Sequence, residues 1–204
     1  MSDKNQTANS PDASPASGNP RTNGNHPVLA LPGDSVSSIR RATLRDLSFV
    51  LELQRKFSNQ IGFIPRVGSE WYVDSGNVKI VLENGDPAGM LLGRQQYRWQ
   101  PLLRPIFQAA ICFDAQRRHH GLALLERLKL EAIAAGQIGI QCCCREGLEA
   151  NEFWKAAGFV PVCYMTPETA RKRDVICWRL PLVKRLPLWF ASPPPVAGWK
   201  ARKV

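Results

Sequence analysis

The residues best suited to chemistry lie in one short segment, FDAQRRHHGLA, at positions 113–123. The segment falls between a predicted buried strand and a predicted amphipathic helix, so it presents unpaired backbone N–H groups and the positive end of a helix dipole. Gly121 lets the backbone approach a ligand closely, and Arg117 and Arg118 add charged hydrogen-bond donors. These features together predict a binding site for a pyrophosphate group.

Two familiar phosphate-binding motifs do not account for this segment. The chain has no GxxxxGK sequence of a P-loop, and the segment lacks the glycines of a dinucleotide fingerprint. A basic, solvated start of a helix is the alternative interpretation. The pattern Arg118-x-x-Gly121-x-Ala123 resembles motif A of the GNAT N-acetyltransferase superfamily, R/Q-x-x-G-x-G/A, whose backbone amides hold the pyrophosphate of acetyl-CoA.

A second segment, EANEFWKAAGF at positions 149–159, resembles motif B of the same superfamily, a short helix that ends in Gly-Phe. Gly158 and Phe159 alone would also be explained by a glycine that ends a helix, followed by an aromatic residue of the core. The resemblance to motif B therefore depends on the distance between this segment and the first motif. The spacing and order of elements match from about residue 39 to residue 182. The resemblance therefore implies the GNAT acyl-CoA N-acyltransferase fold, with a mixed central sheet flanked by helices.

The resemblance also implies which residues bind acetyl-CoA, the acyl donor, with no metal required. Backbone at the end of the strand before motif A holds the acyl arm, and the following loop and helical turn hold the pyrophosphate. The residues for the arm are Ala110, Ile111, Cys112 and Phe113. The residues for the pyrophosphate are Arg117, Arg118, His119, His120, Gly121, Leu122 and Ala123, and Trp154 completes the cofactor set. For both histidines, the place in the loop favours contact with phosphate or solvent over an acid–base role.

Direct acetyl transfer requires a neutral amine, a polarised thioester carbonyl and a stabilised or protonated leaving thiolate. In the superfamily a tyrosine on the motif B helix often protonates the thiolate. Trp154 occupies that position here, and an indole N–H donates a hydrogen bond but releases no proton near neutral pH. Tyr164 is the candidate replacement, and departure of the thiolate with help from solvent is the alternative. The candidate general base is Glu70, with Glu83 and Asp114 as further candidates, unless ordered water deprotonates the amine, as in many family members.

The acceptor site in this superfamily comes mainly from the segment after the first helix and from the last hairpin. Here the first segment contributes Phe63, Arg66 and Trp71, and the hairpin contributes the basic run at positions 171–173. A mouth that is both apolar and positively charged suits an acceptor with a carboxylate or phosphate, and it disfavours a polycation.

The elements that must position these motifs follow from hydrophobic periodicity and turn signals. Strands are predicted at 39–42, 78–82, 88–92, 105–113, 138–144, 159–163 and, as the last one, 175–180. Helices are predicted at 43–57, 122–135 and 148–157, an irregular stretch is predicted at 59–76, and the element order includes an optional second helix directly after the first. Thr43 with Asp46 predicts a capping box, and Asn84-Gly85 predicts a hairpin turn. This order predicts a three-layer α/β or α+β protein.

The composition predicts one domain with tails. The 204 residues are 44% hydrophobic, which excludes a fully disordered chain, and no apolar run is long enough for a membrane-spanning helix. Residues 1–38, rich in Pro, Ser and Asn, are predicted to be a disordered tail, residues 39–182 the GNAT domain, and residues 183–204 a basic, Pro-containing extension. Without an apolar signal segment at its start, the chain is expected to be cytoplasmic and to have no membrane partner.

The six cysteines show no spacing typical of disulfide frameworks or zinc sites. Three of them are consecutive, at positions 142–144, and the other three stand alone inside apolar runs. We therefore expect reduced, buried thiols that pack as small hydrophobic groups. The alternative is a reactive or metal-binding cysteine cluster.

Two functions follow from the sequence. The first is an N-acetyltransferase that moves the acetyl group of acetyl-CoA directly to a primary amine of a small molecule or protein. The second is an inactive binding protein on a GNAT scaffold, which uses its basic C-terminus on nucleic acid or the ribosome, since residues 166–204 hold nine basic and two acidic residues. The intact motif A pattern favours the enzyme, because an inactive protein has no need of a phosphate-binding site. Trp154, at the position of the usual tyrosine, favours the binding protein. A homodimer is an expectation by analogy with the superfamily.

Overall fold

The computed structural model describes residues 37–97, 100–167, 174–194 and 198–202. The tail predicted for residues 1–38 lies outside these residues, except for Ser37 and Ser38, which belong to the first strand. The basic run at positions 171–173 also lies outside the described residues.

One mixed sheet of eight strands forms the centre of the molecule. The strands are β1 (Ser37–Arg41), β2 (Val78–Glu83), β3 (Asp86–Gly93), β4 (Leu103–Ile111), β5 (Gly139–Arg145), β6 (Val160–Pro167), β7 (Val175–Pro181) and β8 (Trp199–Arg202). They lie in the order β1-β2-β3-β4-β5-β7-β6-β8. The pair β4–β5 is parallel, whereas every other neighbouring pair is antiparallel.

Helices cover both faces of this sheet. They are α1 (Leu47–Lys56), α2 (Ser58–Ile61), α3 (Arg66–Asp74), α4 (His120–Ala134) and α5 (Ala150–Ala156). On one face, α4 and α5 pack through buried residues such as Leu124, Leu128 and Trp154. On the other face, α1 to α3 pack through Val50 and Val73, among others. The three layers confirm the predicted α/β class with a mixed sheet flanked by helices.

The local signals for turns and caps are confirmed. The backbone N–H of Thr43 donates to the Asp46 carboxylate at 2.7 Å, which completes the predicted capping box before α1. Asn84 and Gly85 both have positive φ, as a two-residue hairpin turn between β2 and β3 requires. Gly136 follows α4 with a φ of 70°, the left-handed conformation of a helix stop.

The irregular stretch predicted at 59–76 is wrong, because it contains α2 and α3. Gly62, with a φ of 74°, ends α2, and Pro65 directly precedes α3. Glycine and proline thus separate two short helices instead of marking one long loop. Buried Gln54 on α1 stabilises the connection, since its side chain accepts from the Ile64 N–H at 2.8 Å and donates to Ser69 at 3.1 Å.

The prediction that 175–180 is the last strand is also wrong. β8 pairs with β6 at the edge of the sheet, and its Arg202 forms an ion pair with Asp174 at 2.8 Å. A four-residue segment with alternate charges carries too little apolar periodicity to be recognised as a strand. Among the described residues, no helix is long and apolar enough to cross a membrane.

Candidate functional site

The centre of the sheet contains an opening between its two parallel strands. β4 and β5 pair only from Leu103 with Gly139 to Ile106 with Cys142, although both strands continue beyond these residues. Residues 107–111 of β4 and 143–145 of β5 therefore diverge, and we call the gap between them the wedge. The wedge leaves one backbone edge of β4 without a neighbouring strand, so that edge can pair with an extended ligand.

Hydrogen bonding shows which β4 residues face the wedge. The Cys112 N–H donates to the Ala88 carbonyl on the β3 side, and the Cys112 carbonyl accepts from the Ala115 N–H. Backbone direction alternates along a strand, so Ala110 also faces β3, whereas Ala109 and Ile111 face the wedge. The expectation that the backbone of Ala110 and Cys112 binds the acyl arm is therefore corrected, because Ala110 faces β3 and both backbone groups of Cys112 have partners within the protein. Ala109 was missed, since the alternation becomes visible only when the register with β3 is known.

The loop after β4 carries an arc of backbone donors. None of the N–H groups of residues 117–122 donates to a backbone or side-chain acceptor among the described residues, and the first bond of α4 runs from the Ala123 N–H to the His119 carbonyl. Arg117 and His119 have left-handed backbones, with φ of 63° and 62°. When right-handed and left-handed backbone conformations alternate, successive N–H groups point to the same side of the chain. They then form a concave site that can bind an anion. This N–H arc lies at the start of the fifteen-residue helix α4, where the helix dipole adds positive potential.

Two side chains of the loop turn toward the hairpin between β2 and β3. Arg118 forms an ion pair with Glu83 at 2.9 Å, and its hydrogen bond lowers the pKa of the Glu83 carboxyl. His120 is buried, and its Nε2 lies 3.4 Å from the same carboxylate without a hydrogen-bond partner among the described residues. The expected contact of the His120 side chain with phosphate or solvent is thus corrected, although its N–H belongs to the arc. Glu83 is committed to Arg118 and is not a free base.

Gly121 lies where α4 approaches α5. A Cβ placed on this glycine would lie 3.4 Å from two ring atoms of Phe153 and 3.9 Å from Ile111. The absence of a side chain at this position therefore permits close packing of the two helices as well as close approach of a ligand. Leu122 and Ala123, the remaining predicted members of the pyrophosphate set, lie in the same first turn of α4.

Trp154 lies in the core and not on the surface of the wedge. Its ring is 7% exposed and makes edge contacts with Phe153 and Phe159 at about 5 Å. Burial raises the pKa of the Cys144 thiol, and the neighbouring Trp154 opposes that rise. The expectation that Trp154 contacts the cofactor is corrected, because the large ring fills the space between α5 and β5.

Tyr164 lies on β6, separated from β5 by β7. Its ring is covered by Arg202, whose guanidinium carbon is 5.1 Å from the ring centre. Two strand spacings correspond to roughly 10 Å between Tyr164 and the edge of β5. The structure therefore does not bring this predicted acid to the wedge.

The predicted acceptor residues Arg66 and Trp71 lie on α3, and so does the predicted base Glu70. The third acceptor residue, Phe63, lies on the connection before α3. Arg66 and Glu70 form an ion pair at 2.9 Å. Both line a cleft of about 410 Å³ between α3 and the turn that starts α1, which includes no residue of β4 or β5. The predicted base and the predicted cation thus neutralise each other away from the wedge, whereas Phe63 and Trp71 are about half exposed.

A cation that no sequence pattern indicated, Arg94, lies beside β4. The guanidinium of Arg94 lies over the rings of Trp71, Tyr72 and Phe107, at 5.0, 5.6 and 6.0 Å from their centres. It forms no ion pair with any described residue. Phe107 is the first β4 residue beyond the pairing with β5, so Arg94 lies near the base of the wedge. A single arginine after a strand has no pattern that would have revealed this arrangement.

A second missed residue, Gln108, lies on β4 below α2. Its amide donates to the carbonyls of Ile61 and Gly62 at 3.2 Å, and its own buried oxygen has no hydrogen-bond partner among the described residues. The part of the chain that the structure describes contains no group of three or more His, Cys, Asp or Glu residues suited to a metal ion.

No protein-family model matches the sequence, and no curated protein matches it. Solved structures do match. An acetyltransferase of the GNAT family from Streptococcus pneumoniae is 18% identical with a TM-score of 0.57, over 72% of this chain and 99% of that one. An N-acetyltransferase from Staphylococcus aureus is 17% identical with a TM-score of 0.61, over 73% and 100%. A diaminobutyrate acetyltransferase from Paenibacillus lautus, solved with L-2,4-diaminobutyric acid and coenzyme A, is 15% identical with a TM-score of 0.60, over 75% and 99%.

These likenesses span nearly the full length of the three solved chains. At such low identity they report on architecture, and the roles of individual residues have to be argued from this chain itself. The mixed sheet, the wedge and the N–H arc at the start of α4 are consistent with that architecture. The chain has the fold of the GNAT N-acetyltransferases.

Proposed function

We propose that the protein is an N-acetyltransferase that transfers the acetyl group of acetyl-CoA directly to a primary amine. The observation that carries the proposal is the N–H arc at residues 117–122, placed at the end of the strand whose free edge borders the wedge. The pyrophosphate of acetyl-CoA suits the N–H arc, and its extended, amide-containing arm suits the free edge of β4. We propose that Arg117 adds a charged contact to the pyrophosphate and that Ala109 and Ile111 pair with the arm.

The transfer itself needs little from side chains. The amine nitrogen attacks the thioester carbon, the C–S bond breaks, and coenzyme A leaves as a thiol after protonation. Trp154 is buried and Tyr164 lies two strands away, so we propose that the thiolate takes its proton from water. Loss of the amine proton to water balances the reaction and requires no carboxylate base, in keeping with the pairing of Glu70 with Arg66.

We propose that the acceptor carries a carboxylate or phosphate near its amine. Arg66 no longer supports this class, because Glu70 neutralises it. Arg94 supports it instead, since three aromatic rings hold its guanidinium and no described carboxylate pairs with it. A guanidinium that is already positioned binds a carboxylate with two hydrogen bonds at little entropic cost.

The first experiment compares the thermal stability of the full chain with and without acetyl-CoA. A ligand at about 100 times its dissociation constant adds about 2.7 kcal/mol of stability. We expect the shift in the wild type and its loss in Gly121→Glu, which places a charged side chain in the arc. Because a side chain there also presses on Phe153, Arg117→Glu serves as a second variant that reverses an exposed charge. No shift in the wild type would contradict the proposal.

An activity measurement then tests the acceptor. Release of the coenzyme A thiol is followed with amino acids and acidic peptides, and with polyamines and aminoglycosides of equal amine content. We expect faster turnover with the acidic acceptors. Faster turnover with the polycations would reject the proposed acceptor class but leave acetyl transfer in place.

The binding-protein alternative draws on the basic C-terminus. Two of the basic residues in this region take part in the folded structure, since Arg179 is buried and Arg202 forms an ion pair with Asp174. Lys184, Arg185 and Lys200 remain exposed. A salt titration separates the two functions, because nucleic-acid binding through several phosphate contacts weakens steeply with salt and acetyl-CoA binding only mildly.

Location and assembly remain predictions. We propose that the protein is cytoplasmic, because the reducing conditions of the cytoplasm keep cysteine thiols free. A homodimer would be detected by light scattering of the purified chain.

A further inference from the structure

Three thiols form a row across neighbouring strands. Cys143 on β5 lies opposite Cys177 on β7, which in turn lies opposite Cys163 on β6. The sulfur atoms of Cys143 and Cys177 are 3.0 Å apart, and the Cys177 thiol also donates to the Met165 sulfur at 3.1 Å. The neighbours of Cys143 in sequence face the core under α4 and α5, so the row lies on the opposite face of the sheet.

The backbone register places the first two thiols in a favourable pair. The Leu182 N–H donates to the Ile138 carbonyl at one end of the β5–β7 ladder, and the Glu146 N–H donates to the Asp174 carbonyl at the other. Hydrogen-bonded pairs therefore fall on the even positions of β5, and Cys143 with Cys177 is a non-hydrogen-bonded pair. In such pairs the Cα atoms are about 4.5 Å apart. This separation lies within the disulfide range of about 4.4–6.8 Å, so the backbone need not move.

Exposure determines which thiol reacts first. Cys143 is exposed to solvent, whereas Cys163 and Cys177 are fully buried. The expectation that all six cysteines pack as buried hydrophobic groups is therefore wrong for Cys143, because strand alternation turns it away from the core. A dissolved oxidant can therefore reach the Cys143 thiol, and the buried Cys177 sulfur lies next to it.

We propose that Cys143 and Cys177 form a redox-active dithiol site that reacts with hydroperoxides to give a cross-strand disulfide. The Cys143 thiolate attacks one peroxide oxygen, the O–O bond breaks, and a sulfenic acid forms with release of hydroxide or alkoxide. The Cys177 sulfur then attacks the Cys143 sulfur, and water leaves. With hydrogen peroxide, two thiols lose two electrons and two protons, and the peroxide becomes two molecules of water.

The position of the site connects it to the wedge. Cys142 is the last β5 residue that pairs with β4, so Cys143 is the first residue of the diverging arm. The disulfide would link this arm covalently to β7 and withdraw an exposed thiol from the base of the wedge. The dithiol chemistry itself does not depend on acetyl transfer.

The test treats the full chain with one equivalent of hydrogen peroxide, then unfolds it in denaturant and blocks the remaining thiols with an alkylating agent. We expect four of the six thiols to be alkylated, and mass spectrometry should find the Cys143 and Cys177 peptides linked, with loss of two hydrogens. Dithiothreitol should restore all six thiols. A non-reducing gel should show only monomers, which separates this link from one between chains.

Variants make the test specific. Cys143→Ser should abolish the link, and Cys177→Ser should leave Cys143 as a sulfenic acid that dimedone traps. Cys112→Ser is the matched control, because Cys112 is partly exposed but has no sulfur neighbour among the described residues, and it should leave the link unchanged. Full alkylation of Cys177 after oxidation of the wild type, or a link between other cysteines, would overturn the proposal.

Discussion

At the scale of single residues, the loop before α4 combines an unfavourable backbone with unpaired donors. Arg117 and His119 adopt left-handed conformations although neither is glycine. Each such residue costs about 1–2 kcal/mol relative to an ordinary conformation. This strain, together with six adjacent N–H groups that have no acceptor among the described residues, supports the anion site that we propose for this loop.

Replacing His119 by glycine tests the strain in this loop. Glycine adopts the left-handed conformation without a Cβ clash, so His119→Gly should raise the free energy of unfolding by about 1 kcal/mol. The matched control His119→Ala keeps the Cβ and should show no such gain. Denaturant titration measures both, and equal stability of the two variants would show that the loop is not strained at this position.

Removing the guanidinium of Arg94 tests the acceptor assignment. A hydrogen bond to a charged group contributes about 1.5–3 kcal/mol. Arg94→Ala should therefore raise KM for an acidic acceptor by at least about tenfold, while acetyl-CoA binding stays unchanged. Arg66→Ala is the control, because Arg66 already pairs with Glu70, and it should change KM little. Equal effects of the two substitutions on steady-state kinetics would argue against a special role for Arg94.

At the scale of elements, the start of α1 depends on one carboxylate. Asp46 accepts two hydrogen bonds from Arg40, at 2.7 and 2.8 Å, and one from the Thr43 N–H. The hydrogen bonds from Arg40 are the main reason that the pKa of Asp46 is strongly lowered. This carboxylate therefore connects β1, an edge strand of the sheet, to the first helix.

Asp46→Asn tests that connection and its dependence on pH. A lost cap of this kind costs about 1 kcal/mol of stability near neutral pH. A carboxyl with a lowered pKa stabilises the fold above its ordinary pKa of about 3.9, and this contribution is lost as the pH falls below that value. The difference between wild type and variant in urea titrations should therefore shrink below pH 4. Glu52→Gln, which removes an exposed pair with Lys56 on the same helix, should lower stability much less than Asp46→Asn, because solvent screens the exposed pair.

At the scale of the whole molecule, the segment after β7 completes the core. Arg179, fully buried on β7, donates to the Gln141 side chain at 2.9 Å and to the backbone carbonyls of Trp189 and Phe190. Phe190 is 4% exposed and packs so closely on Gly139 that a Cβ there would lie 2.5 Å from its ring. The folded unit thus includes residues beyond 182, where the sequence alone placed the end of the domain.

Two residues of one helical turn test this role of the segment. Phe190→Ala should destabilise the protein by about 3–5 kcal/mol, because it empties a buried site. Leu188→Ala is the matched control, since Leu188 is 97% exposed and its loss should change stability by less than about 0.5 kcal/mol. Thermal unfolding measures both, and a small effect of Phe190→Ala would place the end of the folded unit near residue 182 after all.

Local sequence signals by themselves determined the strands β1 to β7, the helices α1, α4 and α5, the capping box at Thr43, the hairpin at Asn84 and the loop before α4. Each depends on residues close together in the chain, where periodicity, turn preference and helix capping act. The same locality explains one error, because Gly62 and Pro65 interrupt the periodicity of two helices too short to show their own.

Only the tertiary structure decided which groups meet at the site. The wedge edge at Ala109 and Ile111 depends on the register with β3, and the thiol pair of Cys143 and Cys177 depends on the register with β7. The burial of Trp154 likewise depends on how α5 packs on β5. These contacts join residues distant in sequence, so their geometry follows from the alignment of whole elements and not from any local pattern.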